Sequence, residues 1–375
     1  NLSGTLNQNA VAVNELNSGN QRNNQAIGNV QGEYQILDWL SFRSFYSLDW
    51  RNTEANFFWD PRTGDGNPRG GLGQVQSAWN TNFLTNQILS ARYSFNDVHN
   101  VDGLVGYEYR KDDSRQIYVS AQGFPTPQFR TLASAATASS YDETGSGFRR
   151  QGVLANFNYN YDGRYVVGLV GRYDGSSRFG SDTRYGFFPG LKLAWNLDRE
   201  NFMEGVDFVD VLRLRYGIGK VGNDQIGNFD ARGLYGGGPT YAGLAGITYT
   251  QLANPELSWE GNTSNNLGLD FGFFNNRIGG SVEVYDRKTT DLLLSQTVAW
   301  TSGFGGITSN VGRVQNKGIE VTLNGTLLKS NSADGFTWNT NFVFAYNKSK
   351  LLELFGETQN IGTAYVVGQP LFLVQ

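Results

Sequence analysis

The stretch with the best claim to chemistry on spacing alone is Gly217-Ile218-Gly219-Lys220-Val221-Gly222, a literal fit to the G-x-G-x-x-G phosphate cradle. In a dinucleotide fold these glycines close the turn between a doubly buried strand and a helix whose N-terminus holds the pyrophosphate. Here the preceding residues alternate Leu212, Leu214, Tyr216 and Ile218 with Arg213, Arg215 and Gly217, and the following NDQIGNFDARGLYGGG is rich in turn formers where a helix has to begin. The motif reads as a glycine-rich strand end entering a long loop. Catalysis has less to draw on. His99 is the single histidine, so a Ser/His/Asp relay or a His-rich metal site has to pass through it. It lies in NDVHN, a predicted solvated turn. Asp60 with Asp65 and Asp112 with Asp113 fall in predicted long loops without calcium-loop spacing, which leaves at most a weak loop cation such as calcium and no cofactor. The absence of cysteine removes disulfides, thiol catalysis and Cys-ligated zinc. No nucleophile and base come together, and no enzyme is expected.

Two other sets of side chains remain. Arg213, Arg215, Asp270 and Glu283, with Lys192 and Glu320, share the polar side of alternating stretches; Trp59, Tyr235, Tyr241, Trp300 and Phe304 lie in long connections. Rings of the second kind stack on sugars or grip a peptide, and loop packing accounts for them equally well. The elements that position both sets are strands. Residues 267–286 read LGLDFGFFNNRIGGSVEVYD, and a two-residue turn at Asn275-Asn276 pairs positions that sum to 551. Phe273 then faces Ile278, Phe271 faces Gly280, Leu269 faces Val282 and Leu267 faces Val284, while Asp270 with Ser281 and Gly268 with Glu283 take the other side. Turn chemistry and hydrophobic alternation fix this register independently. Similar alternation recurs, for example at Val30–Ile36 against Leu40–Tyr46, Val153–Tyr161, Ile319–Leu327 and Phe336–Tyr346, for about a dozen strands.

The question is what the apolar side lies against. No run approaches the roughly 18 apolar residues of a spanning helix, and a net charge of −4 without basic blocks gives nucleic acid no foothold. Predicted strands run about 10 to 12 residues, twice the usual globular length and close to what a tilted strand needs to cross a bilayer. Connections are tight at 37–39, 96–100, 162–163, 275–276 and 329–335, and long at 52–78, 111–147, 220–262 and 288–317. Aromatics crowd the tight turns: Trp39, Phe95, Tyr159, Tyr161, Tyr165, Trp195, Phe273, Phe274, Phe336 and Trp338. Short turns with an aromatic girdle at one end and long loops at the other are the pattern of an outer-membrane barrel, its apolar side on lipid and its polar side on the lumen. The rival is a soluble sandwich or propeller in which that side packs on a second sheet.

Five stretches carry a family resemblance: RYDGSSRFGSDTRYGFFPGLKLAW (172–195), LRLRYGIGKVGNDQIGNF (212–229), NPELSWEGNTSNNLGLDFGFFNNRIGGSVEVYDRKTTDLL (254–293), NVGRVQNKGIEVTL (310–323) and VGQPLF (367–372). In this order they resemble the SusC/RagA-type TonB-dependent outer-membrane transporters, closely from about residue 150 onward. The resemblance implies an all-β, antiparallel, 22-stranded transmembrane barrel with a plug, in the outer membrane of a Gram-negative bacterium. It implies drive through TonB and its inner-membrane motor complex, a SusD-like surface lipoprotein as lid, and oligosaccharide or oligopeptide cargo. No TonB box or plug is visible, so residues 1–375 are expected to be a partial barrel domain lacking the plug and terminal strands. The alternative is a passive or structural outer-membrane barrel, or a soluble β-rich binding module.

Overall fold

The computed structural model describes residues 9–329, 335–356, 358–361 and 365–370. A short helix α1 (Ala10–Leu16) leads into strands β1 (Ser18–Leu37), β2 (Leu40–Trp59), β3 (Leu72–Phe95), β4 (His99–Gln122), β5 (Thr137–Tyr161), β6 (Tyr165–Ser176), β7 (Tyr185–Asn196) and β8 (Val209–Asn223). A hairpin of β9 (Leu234–Tyr241) and β10 (Leu244–Gln251) precedes β11 (Glu260–Phe273) and β12 (Ile278–Thr290). A second, β13 (Leu293–Gln296) and β14 (Ile307–Asn310), precedes β15 (Arg313–Leu328) and β16 (Trp338–Glu353), and β17 (Asn360–Ile361) pairs with β18 (Tyr365–Val366). Twelve strands form one sheet in the order β1-β2-β3-β4-β5-β6-β7-β8-β11-β12-β15-β16, so each neighbour in space is the next long strand in sequence. The β9–β10 and β13–β14 hairpins stand apart as two-stranded ribbons in the long connections.

The 267–286 register is the one the sequence predicts, Leu267↔Val284 through Phe273↔Ile278. The turn differs: Phe274, Asn275 and Asn276 take left-handed φ of 61°, 58° and 57°, making a four-residue connection on the same axis. Three successive residues of this hand reverse the chain and let Phe274 N–H donate to the carbonyl of Phe208. Asp162 and Gly163, with φ of 51° and 65°, turn the chain between β5 and β6. Strand length is corrected more heavily. β6 and β7 have 12 residues, but β1 and β2 have 20, β3 and β4 have 24 and β5 has 25. Parts of the expected loops 52–78 and 111–147 are therefore strand, including Asp112 and Asp113 on β4. Those parts contain no proline, and a backbone ladder continues while a neighbour is available to pair; Pro61, Pro125 and Pro127 stand just beyond the strand ends.

Two compact units are distinguished. One comprises the described residues up to Gly32 with Ser44–Asn86 and Tyr109–Arg149. Its core sets Phe58 edge-on to Phe124 at 5.1 Å, with Arg130 over the Phe58 ring. The other comprises Glu33–Arg43, Gln87–Glu108 and the described residues from Arg150 onward. Within it, Leu214, Tyr216, Leu267, Val284, Phe342 and Phe344 all lie exposed on one face of the sheet. Its buried clusters are elsewhere, where strand ends meet the connections: Phe179, Phe188 of β7, Ala231, Leu257 and Trp259 form one, Val314 of β15, Leu351 of β16 and Leu354 the other. A soluble protein does not leave so broad an apolar face uncovered. Among the described residues no helix is long and apolar enough to cross a membrane, a result that has no bearing on crossing by strands.

Candidate functional site

The long connections of the second unit are built on a buried carboxylate. Strand β8 ends at Asn223, and Asp224 just beyond it is 1% exposed. It accepts from Arg150 of β5 and, at 2.8 Å, from the hydroxyl of Ser176, the last residue of β6. Arg178 donates to the Asp224 carbonyl at 3.0 Å and to Asn228 Oδ1 at 2.8 Å. Arg150 also lies over the Trp259 ring, whose indole N–H donates to the Arg184 carbonyl at 2.9 Å. A charge so enclosed persists only when paired and hydrogen-bonded, and here two guanidinium groups and a hydroxyl surround it. Three segments far apart in sequence thereby meet at one point.

Residues 254–260 then join the two loops. Asn254 Nδ2 donates to the Thr308 carbonyl at 2.7 Å. Asn310 Oδ1 accepts from Ser258 N–H at 2.7 Å, and its Nδ2 donates to the Ser258 carbonyl at 2.8 Å and to the Asp291 carbonyl at 3.1 Å. Glu260 accepts from Leu293 N–H at 3.1 Å. These bonds hold 224–259 and 291–312 side by side, as their expected places at the far ends of β11 and β12 require. Of the aromatics singled out from sequence, Tyr235 and Phe304 come together on Tyr249, with ring centroids 4.9 and 5.5 Å away. Tyr241 and Trp300 stand 85% and 84% exposed at the hairpin tip and on a 3-10 turn. Trp59 belongs to the other unit and lies 6.0 Å from Phe57.

The polar side chains read from sequence share one face of the sheet. Arg215 grips Asp270 with two bonds of 2.7 and 2.8 Å and approaches Glu283 at 3.5 Å; Arg213 donates to Asn196. Gly268 leaves the space through which the guanidinium reaches Asp270, since a Cβ there would meet it at 3.0 Å. Lys192, Asn158 and Asn266 join Arg215 and Glu283 around a hollow of about 380 Å³. The G-x-G-x-x-G residues stay within β8 and no helix follows them, so the phosphate cradle is absent. His99 is not in a turn. It begins β4, its ring stacked 4.5 Å from Phe95 and its Nδ1 2.7 Å from the Tyr159 hydroxyl. Among the described residues no group of three or more His, Asp or Glu could hold a metal ion. Asp60 and Asp112 are engaged by Arg62 and Arg110, and Asp113 by Lys111.

Asp224, Ser176, Arg178, Asn254 and Asn310 escaped functional assignment in the sequence, yet each stands within a stretch that carries the family resemblance. The TonB-dependent receptor-like β-barrel family matches residues 1–374. This chain belongs to that family. A TonB-dependent receptor of Formosa agariphila is 31% identical over 85% of the chain and 30% of its own length. SusC of Bacteroides thetaiotaomicron is 36% identical over 54% of the chain and 21% of its own length. These relatives are receptors rather than enzymes, and the chain spans about a third or less of their length. Among solved structures the RagAB peptide transporter superposes with a TM-score of 0.86 at 24% identity, over 96% of this chain and 40% of that one. Ferric citrate transporter FecA gives 0.51 at 10% identity. The fold is the antiparallel barrel of the outer-membrane type, and the SusC/RagA resemblance is met in both sequence and structure.

Proposed function

We propose that this chain forms part of the barrel domain, wall and surface mouth, of a TonB-coupled outer-membrane importer of large nutrients. In this reading the apolar face with Leu269, Phe271, Val282 and Val284 meets lipid, and Arg213, Arg215, Asp270 and Glu283 face the lumen. The plug, the remaining strands and the contact with TonB and its motor complex belong to the whole transporter. The supporting observation is the joining of 224–259 and 291–312 into one body by residues 254–260, which carries an aromatic wall of Tyr235, Tyr249 and Phe304 beside exposed Tyr241 and Trp300. Flat rings on a braced frame hold an extended polar ligand by stacking and a few hydrogen bonds, with no catalytic group. The cargo is an oligopeptide or an oligosaccharide, and a SusD-like surface lipoprotein serves as lid.

The test is a full-length Tyr235→Ala, Tyr241→Ala, Trp300→Ala, Phe304→Ala variant in the native host, with uptake of labelled oligopeptide and oligosaccharide and co-purification of the lid followed together. Membrane insertion is expected to be normal, with uptake or lid capture lost. Parental levels of both remove these loops from the mechanism. Trp59→Ala, in the other unit, is the comparison.

A further inference from the structure

The apolar face ends abruptly in a belt of lysines. The register of β8, β11, β12, β15 and β16 runs without a shift from the apolar rows into this belt, so side chains two residues apart keep the same face. In the row of Leu267, Val284, Ile319 and Tyr346 every side chain is apolar or aromatic. One step toward the long connections, Asp286 pairs with Lys317 and Lys317 with Lys348. One step further, Lys220 pairs with Thr263, Thr263 with Lys288, Lys288 with Gln315 and Gln315 with Lys350. All five lysines are exposed. Among the described residues the one ion pair in this set is Asp286 with Lys317, at 3.5 Å. Five lysines against one aspartate leave four positive charges on this patch, in a chain whose net charge is −4. At the turn end the same face of β11 and β12 finishes in Phe273 and Ile278.

We infer that this belt binds the phosphate groups of a phosphorylated saccharolipid of the outer leaflet, the lipid A class. Its height selects the occupant. Ammonium groups directly above an apolar band, on the outward face and at the long-loop end, sit where the headgroups of surrounding lipid lie, so the belt continues the lipid-contact surface. Lysine suits that role, being a compact charge on a flexible stem that meets phosphates at several heights. Lys317 and Lys348 face each other across the ladder, an arrangement that repels until an anion sits between them. The inference rests on the facing proposed above.

The experiment reconstitutes the full-length transporter into phosphatidylcholine nanodiscs doped with either bisphosphorylated or dephosphorylated lipid A, and measures retained lipid A by native mass spectrometry. The parent is expected to retain the bisphosphorylated form about tenfold better at low salt, and to lose the preference as ionic strength rises. K220Q/K288Q/K317Q/K348Q/K350Q is expected to lose the preference, and Asp286→Asn to strengthen it, the second readout standing should the first variant fail to insert. Equal retention of both forms by the parent overturns the inference, as does an unchanged preference in an inserted five-lysine variant, or a preference abolished by millimolar inorganic phosphate at constant ionic strength. The facing is checked separately: if Leu269→Arg inserts as well as the parent, that reading fails first, whereas a destabilised Leu269→Arg with no lipid A preference sinks the belt alone.

Discussion

The two ends of the second unit are held together by different means. At the turn end, rings from successive strands touch in chain order: Phe95 to His99 at 4.5 Å, His99 to Tyr161 at 5.1 Å, Tyr161 to Tyr165 and Tyr165 to Trp195 at 6.3 Å each. Each of these contacts joins strands adjacent in the sheet, and two of them, Tyr161↔Tyr165 and Tyr165↔Trp195, follow directly from cross-strand pairing. At the other end Asp224 is held by Arg150, 74 positions away, and residues 254–260 by Asn310, with no ladder to bring them together. The turn end is a repeated local rule, tolerant of which ring stands where. The loop end is held by polar bonds between residues distant in sequence, in two seams around Asp224 and Asn310, and such bonds are costly to break in part.

The largest effect is therefore expected at Asp224. Asp224→Ala removes the carboxylate that accepts from Arg150 and Ser176 and lies 3.8 Å from Arg178, whose bond to the 224 carbonyl remains. It leaves these charges and the hydroxyl facing an apolar cluster with Trp259, at a cost of about 3 to 5 kcal/mol. The loss is expected in the loops alone: limited proteolysis should cut within 224–259 while the strands keep heat-modifiable migration on gels. Equal resistance to protease in parent and variant erases the contrast between the two ends. Next comes the sheet itself. Leu269→Arg near the middle of the apolar band is expected to cost about 2 to 4 kcal/mol of stability in a bilayer, and Asp270→Asn far less, measured by urea unfolding of the reconstituted full-length protein.

That same division marks how much the sequence discloses. The β11–β12 register, the alternation of short and long connections and the clustering of rings near the short turns were legible, because period-2 alternation and left-handed turn residues are local signals; the expected tight connection at 329–335 lies mostly outside the described residues. The length of β1 to β5 was not, since TASSYDETGSG pairs as strand without alternating. His99 was misplaced because NDVHN reads as turn throughout, whereas the left-handed pair Asn96 and Asp97 already completes the reversal. Tyr235 and Phe304 were found as candidates but Tyr249, on which both rest, was not. The Asp224 network was silent for a physical reason: ladder pairing has a period, while a contact between residues 74 apart has none.

A smaller effect should follow from loosening one seam of the loop body. Asn310→Ala deprives the Ser258 N–H and the Ser258 and Asp291 carbonyls of their partner, at about 1 to 3 kcal/mol. Hydrogen exchange should quicken at Ser258 and leave the Asp224 site unchanged. If both quicken together, the loop body is one cooperative unit rather than two joined seams.

The smallest effect belongs to the first unit, where a buried carboxylate is again held by arginine but from two residues away. Arg62 Nε and Nη2 donate to the two Asp60 oxygens at 2.8 and 2.9 Å, Arg62 N–H donates to Oδ1, and Asn17 Oδ1 accepts from Asp60 N–H. The Arg62 side-chain bond is the main reason that the Asp60 carboxyl is held below its ordinary value of 3.8. A depressed carboxyl stabilises the folded form above the unfolded value, and that contribution disappears as pH falls through the lower folded one. Hydrogen exchange at Thr63 and Gly66, whose N–H groups bond back to Asp60 and Thr63, is therefore expected to be insensitive to pH well above 3.8 once intrinsic rates are divided out, and to gain extra opening only below it. Arg62→Gln should bring the folded value up toward the unfolded one and so flatten that acid response. Because the pair spans two residues and Arg62 is largely exposed, the change should stay within 60–71. An acid response that spreads along β2 and β3 instead makes Asp60 a long-range brace like Asp224, and the contrast between local and distant carboxylates no longer holds.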